Sequence, residues 1–289
     1  MLKEGTIALL FLLPSIALVG YFVYACIGWN VLVSLTNWDH LKPSYTIVGF
    51  NQYTALFKDP VSWLSLKNNL ILLLIVPSSI GLGLFLAVLL DNKVRGEGDF
   101  RTIFLLPFAL SFVITGKLWG WMYWPTNGVM NTLLSGIGLG PWTPNWIGDP
   151  RIAIYSVILA LTWQFSGYTM LLFLAGIRSI PESQVMAAEV DGARGFRLYR
   201  RIVIPQLKSS VLATFVIMMV FALKSFDFIY VLTGGGPGES TYVLAYQMYE
   251  VTFASDHWAY GAAIGTVLFI IVMIIVVPYL YLSTRRREG

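Results

Sequence analysis

The polar side chains within the apolar body of this chain fall into stripes. In the stretch 152–176, Gln164, Phe165 and Tyr168 share one helical face, and Gly167-Tyr168-Thr169 marks a place where a helix would loosen. In 209–232, Met218, Phe221, Ala222 and Ser225 recur at i, i+3, i+4 and i+7, which again defines a single face. Aromatic planes beside an amide and hydroxyls suit the C–H faces and hydroxyl groups of a sugar, a mixture that lipid contact would not select. Helix packing alone also accounts for Phe165. Lys224 and Asp227, three residues apart, can form a local ion pair, and charges at membrane depth face protein or water. Lys117 has no obvious local partner; it either snorkels outward or attracts an anion.

Other chemistries find little support. No Gly-x-x-x-x-Gly-Lys-Ser/Thr sequence occurs, and Gly116-Lys117 is followed by Leu118, so ATP hydrolysis is not expected in this chain. His40 and His257 lie in different external segments without a neighbouring Cys or His and read as solvated loop histidines, so no metal site is expected. The single cysteine, Cys26, reads as a small apolar filler and excludes an internal disulfide. A membrane enzyme would need converging acid, base or nucleophilic groups, and none stands out.

The elements that carry the stripes are membrane helices. The chain has 289 residues, 57% hydrophobic and 12% charged, with a mean hydropathy of +0.71, whereas a soluble domain carries about 25% charged residues. Too little polar surface remains to coat an exterior in water. Six stretches reach the roughly 20 residues that a span requires: 6–35, 68–90, 102–124, 152–176, 209–232 and 258–282. An even number puts both termini on one side. With the termini inside, that side collects Lys3, Lys93, Arg95, Arg101, the basic residues of 178–208 and Arg285, Arg286 and Arg287, thirteen of the nineteen Lys and Arg residues. The outside receives Lys42, Lys58, Lys67 and Arg151, so the positive-inside rule makes both termini cytoplasmic. The external segments are 36–67, 125–151 and 233–257; the first two are rich in Trp, Tyr, Asn, Gly and Pro and suit a lid or docking rim.

The internal segment 178–208 is far longer than a connection needs. Pro181 and Glu182 suit a helix start, Asp191-Gly192 breaks that helix, and Asp191 can cap a second one. Phe196, Tyr199 and Ile202 recur there at helical spacing, while Arg194, Arg197, Arg200 and Arg201 point elsewhere. Two short helices at an angle make a compact knob, and Ala187 and Ala188 are small enough to admit another protein's backbone. A basic helix lying on anionic lipid would explain the arginines but not the bend.

With Ala187-Ala188, Asp191-Gly192-Ala193, Phe196 and the closing Ile204-Pro205, this loop resembles the EAA loop of binding-protein-dependent ABC importer permeases. Met186 stands where that family carries a glutamate, leaving apolar docking and the neighbouring Glu189. Phe100-Arg-Thr-Ile-Phe-Leu-Leu-Pro107, Trp124-Pro with Gly128 and Asn131, Leu174-Ala-Gly-Ile177, and the run from Phe226-Asp-Phe-Ile-Tyr to Gly234-Gly-Gly-Pro237 resemble the sugar-importer branch, in particular the first permease subunit of maltose and glycerol-3-phosphate systems.

The resemblance implies an all-α type I importer permease fold, a single transmembrane domain over 1–289 with core spans from 68 to 282 and a coupling loop at 178–208. It implies that Met186, Ala187, Ala188, Glu189, Asp191, Gly192, Ala193 and Phe196 meet an ATPase. It places Gln164, Phe165, Tyr168, Met218, Phe221, Ala222 and Ser225 on the substrate pathway, with Ala222 lacking the polar group of maltose-type permeases. Implied partners are a second homologous permease, two cytoplasmic ATP-binding subunits that bind ATP and Mg, an extracytoplasmic solute-binding protein, the lipid of a bacterial cell membrane and a small carbohydrate, with no nucleic acid and no cofactor in this chain. An ion-gradient-driven secondary transporter is the alternative; such proteins often carry internal repeats and an ionisable relay, and here only Lys224 with Asp227 resembles one.

Overall fold

The computed structural model describes residues 4–92 and 95–285. Lys3, Lys93, Arg286 and Arg287, counted in the charge balance, lie outside them. In chain order the helices are α1 (Glu4–Val19), α2 (Cys26–Ser34), α3 (Asn51–Lys58), α4 (Pro60–Leu72), α5 (Ile75–Asp91), α6 (Glu97–Ala109), α7 (Phe112–Met122), α8 (Val129–Gly136), α9 (Ala153–Arg178), α10 (Glu182–Val190), α11 (Phe196–Leu198), α12 (Ile204–Gln206), α13 (Lys208–Leu223), α14 (Phe226–Leu232), α15 (Leu244–Tyr249) and α16 (Trp258–Arg285). Wider π turns join α1 to α2 over Gly20–Ala25 and α11 to α12 over Tyr199–Val203.

Among the described residues, four helical stretches are long and apolar enough to cross a membrane: Phe11–Ser34, Pro60–Asp91, Ala153–Arg178 and Trp258–Tyr279. Two bent pairs raise the number to as many as six. Glu97–Ala109 with Phe112–Met122 bends by 98°, and Phe196–Gln206 with Lys208–Leu223 bends by 69°. The third stretch, expected as a continuous span, is therefore broken, whereas the second bend, at Leu207, falls just before the fifth. At the first break Leu110 and Ser111 are extended, three residues after Pro107, and the Ser111 hydroxyl accepts from the Ile114 amide to start α7. Within the fifth stretch the helix also stops at Lys224 and restarts at Phe226.

The contacts divide into two compact units, Met1–Trp63 with Leu244–Met273, and Leu64–Val243 with Ile274–Gly289. In the first, Asp59 is the hub: its carboxylate accepts from the Ser62 hydroxyl at 3.0 Å, Gln247 Nε2 at 3.1 Å and the Tyr260 hydroxyl at 2.9 Å. Asn30 Nδ2 donates to the Ala262 carbonyl and to Thr266.

In the second unit α5 packs along α9, with α6 and α13 beside them. Helix α9 is buried on most of its surface, so its polar groups must find partners in the absence of water. Thr169 Oγ1 donates to the Ser79 carbonyl at 2.8 Å, and Thr162 pairs with Ser78 at 2.9 Å. A Cβ at Gly167 would overlap the Phe104 carbonyl oxygen, so glycine alone lets α6 approach this closely. These contacts explain why α9 runs unbroken through Gly167-Tyr168-Thr169, where loosening was expected.

Candidate functional site: a bend-lined pocket and an exposed helical knob

The breaks at Leu110 and at Lys224 open onto the same region. A pocket of about 390 Å³ is lined by Phe108, Leu110, Ser111, Phe112, Val113, Gln164, Phe165, Phe221 and Asp227. A neighbouring one of about 320 Å³ shares Phe112, Phe221 and Asp227 and adds Val220, Lys224, Ser225 and Phe228. The first is walled by rings: Phe165 lies 4.9 Å from Phe221 and 6.0 Å from Phe112. Gln164 is 2% exposed; its Nε2 donates to the Leu110 carbonyl at 3.1 Å, which satisfies the peptide freed by the α6–α7 bend. Its Oε1 accepts nothing among the described residues. A buried amide with one end anchored and the other unpaired is a ready acceptor for a hydroxyl.

The two expected stripes thus split. Gln164, Phe165, Phe221 and Ser225 line the pockets. Tyr168 is not among the residues that line them and stacks on Phe108, which is, with centroids 4.6 Å apart. Met218 and Ala222 are buried in helix packing. Lys224 and Asp227 form no ion pair: among the described residues the pairs are Arg151–Asp149, Arg178–Glu97 and His257–Asp39. Both charges instead border the second pocket, because the break at Ser225 removes the regular helix on which three-residue spacing brings side chains together. Lys117 is exposed.

The segment after α9 forms the bent pair expected of it. Helix α10 ends where Gly192 takes φ +82°, and Gly195 takes φ +52° before α11. Asp191 is the C-cap of α10, not the cap of the second helix, a position held by Gly195. Ala188 also departs from expectation: it is 8% exposed and packs into a cluster with Ala87, Leu90, Leu174 and Ile177, so it faces its own chain. The outward face is Met186 (56% exposed), Ala187, Glu189, Val190 (87%) and Phe196 (77%), with Asp191 and Gly192 exposed at the turn and Ala193 half-buried. Past Gly195, Leu198 and Val203 enter the core and Phe196 does not.

Two further constellations escaped the sequence. The 125–151 segment closes on Asn131, whose Nδ2 donates to the Pro125 and Pro144 carbonyls while its Oδ1 accepts from Trp146 Nε1 at 2.8 Å. Tyr123 stacks on Trp146 and donates to the Ser156 carbonyl. The nearby Arg151 guanidinium holds the Asp149 carboxyl below its ordinary range. In the first unit His40 and His257, expected apart, have ring centroids 6.2 Å from each other, and His257 Nδ1 lies 3.1 Å from Asp39. No cluster of three or more His, Cys, Asp or Glu able to hold a metal occurs among the described residues.

Bent helices around a pocket and an exposed knob at the end of a long span define a multi-pass membrane permease. A family model described as "Binding-protein-dependent transport system inner membrane component" matches residues 79–288. The probable ABC transporter permease protein PH1215 of Pyrococcus horikoshii is 56% identical over 97% of this chain and 96% of that protein. The xylose/arabinose import permease XacH of Haloferax volcanii is 43% identical over 94% of this chain and 84% of its own length. A crystal structure of a bacterial ABC transporter that imports the acidic polysaccharide alginate contains a chain of the same fold, with a TM-score of 0.82, 24% identity, and coverage of 98% of this chain and 96% of that one. The chain belongs to this family: it is the membrane permease component of an ABC importer, a subunit type distinct from the one that hydrolyses ATP. Family membership implies the usual partners, a second permease, ATPases and a solute-binding protein.

Proposed function

We propose that the chain lines the translocation pathway of a carbohydrate importer, paired with a second homologous permease and driven by two cytoplasmic ATPases. The pocket carries this reading: four phenylalanine rings offer faces for C–H surfaces, and Gln164, Ser111, Ser225 and Asp227 offer groups for hydroxyls. The xylose/arabinose relative supports the same substrate class. The chain acts as one permease domain over 1–289, with each bent pair counted as one span, six spans in all, and both termini cytoplasmic as its basic residues favour. The knob within 178–208 docks in an ATPase through Met186, Ala187, Glu189 and Phe196, with Asp191, Gly192 and Ala193 shaping the turn and Ala188 seating it on its own core.

Reconstitution tests both halves. In vesicles containing the second permease, the ATPases and the solute-binding protein, uptake from a panel of labelled xylose, arabinose and oligosaccharides requires ATP, and Ala187→Cys crosslinks to an ATPase. Uptake by this chain alone on a proton gradient, or labelling of Ala187→Cys only from the outside in an active complex, refutes it.

A further inference from the structure

Between the knob and the pocket lies a contact that neither the docking face nor the pathway includes. The Tyr199 hydroxyl donates to Asp91 Oδ2 at 2.7 Å. Asp91 is the last residue of α5, and Tyr199 opens the π turn that follows α11. Around this bond, Ala188, Leu198, Val203 and Leu207 from the knob side pack with Ala87 and Leu90 of α5 and with Phe173, Leu174 and Ile177 of α9 in one buried cluster.

We propose that Tyr199 is a positioning residue for transport, transmitting displacement of the knob to α5 through Asp91. The inference rests on the docking reading above. An apolar cluster resists compression but lets its parts slide, because its contacts are non-directional. A hydrogen bond with a defined donor and acceptor resists sliding and separation as well. Tyr199–Asp91 is such a bond, and it joins the knob to the end of α5. From there the path is closely packed. A Cβ at Gly83 on α5 would overlap the Thr169 side chain on α9, and Ser78 pairs with Thr162 further along the same two helices. Two residues beyond Thr162, Gln164 holds the bend that lines the pocket. Dense packing of this kind transmits strain.

The test uses the complete complex in vesicles with its solute-binding protein. Ser225→Cys in a Cys26→Ser background reports the pocket through its rate of reaction with a maleimide, with and without a non-hydrolysable ATP analogue. The analogue is expected to change that rate in the parent. Tyr199→Phe, which keeps the ring and its packing, is expected to shrink the change by about threefold or more. Asp91→Ala does the same, and the double variant is no worse than either single one. Asp91→Asn, which retains an acceptor oxygen, keeps most of the response. A merely structural staple would lower the yield or melting temperature of the complex without this pattern. A parent that ignores nucleotide, a Tyr199→Phe response equal to the parent's, or effects of Tyr199→Phe and Asp91→Ala that multiply overturns the inference. Crosslinking from Ala187→Cys in the same vesicles separates the two readings: an intact crosslink with an unchanged Tyr199→Phe response refutes this inference alone, whereas its absence from the active parent refutes the docking reading and this inference with it.

Discussion

Replacing Gln164 by leucine separates anchoring from recognition, because the two ends of that amide do different things. The Nε2 end holds the Leu110 carbonyl at the α6–α7 bend, and its loss leaves a buried acceptor unpaired, which costs about 1–3 kcal/mol. The Oε1 end is buried without a partner, and removing it recovers a comparable desolvation penalty of about 1–3 kcal/mol. The two nearly cancel, so Gln164→Leu is expected to change the stability of the complex by only about 1 kcal/mol. Transport is not protected by that cancellation. If Oε1 accepts a sugar hydroxyl, the variant loses about 0.5–1.5 kcal/mol of binding, a factor of about two to ten in the concentration giving half-maximal uptake. The measurements are thermal unfolding of the purified complex and initial uptake rates over a range of sugar concentration. A large drop in melting temperature with unchanged half-saturation would refute the reasoning, since Gln164 would then be only a strut at the bend.

Gly192→Pro is expected to uncouple the transporter without blocking membrane insertion, because proline fixes φ near −65° where Gly192 needs +82°; normal ATPase stimulation by the solute-binding protein and normal uptake in the variant would contradict this. Tyr168→Ala removes the ring stacked on Phe108, worth about 0.5–1.5 kcal/mol, so uptake affinity should fall about two- to tenfold while Tyr168→Phe behaves like the parent. If Tyr168→Phe were equally impaired, the hydroxyl and not the stack would be the active group. In Gly167→Ala the added methyl meets the Phe104 carbonyl, a backbone atom with little room to retreat, and a loss of about 1–3 kcal/mol should appear as a lower melting temperature of the assembled complex.

The features legible in the sequence were those written in local runs. Apolar length gave the membrane class, and the turn at Asp191-Gly192 gave the bent knob, because a helix stop is encoded within a few residues. The two stripes were legible only as helical faces: i, i+3, i+4, i+7 spacing finds a face but cannot say what it meets, and while Phe221 and Ser225 border pockets, Met218 and Ala222 are buried in helix packing. Ala188 was misdirected for the same reason, since its smallness suits an approaching partner or its own core equally well. The breaks at Leu110 and Lys224 were hidden inside continuous apolar runs, although Pro107 signalled the first. The pairing of Gln164 with Leu110, the Asp59 hub and the closeness of His40 to His257 join residues far apart in the chain, which no spacing rule reaches. For Asp59 a trace did exist: an acid just before proline at a helix start, where its Oδ1 accepts from the Val61 amide.

The closure at Asn131 also has a consequence for how such a permease can change over time. By holding the carbonyls of Pro125 and Pro144 in one side chain's grasp, Asn131 fixes the two ends of the intervening segment, while Ile137 and Trp142 near its tip stay exposed. The cost of lengthening a loop whose ends are already fixed grows only with the logarithm of its length. The tip between those ends is therefore a place where residues can be inserted or exchanged without moving Tyr123 or Ser156 at the roots of α7 and α9. A permease built this way can be refitted along that segment while the helices that line its pocket keep their places.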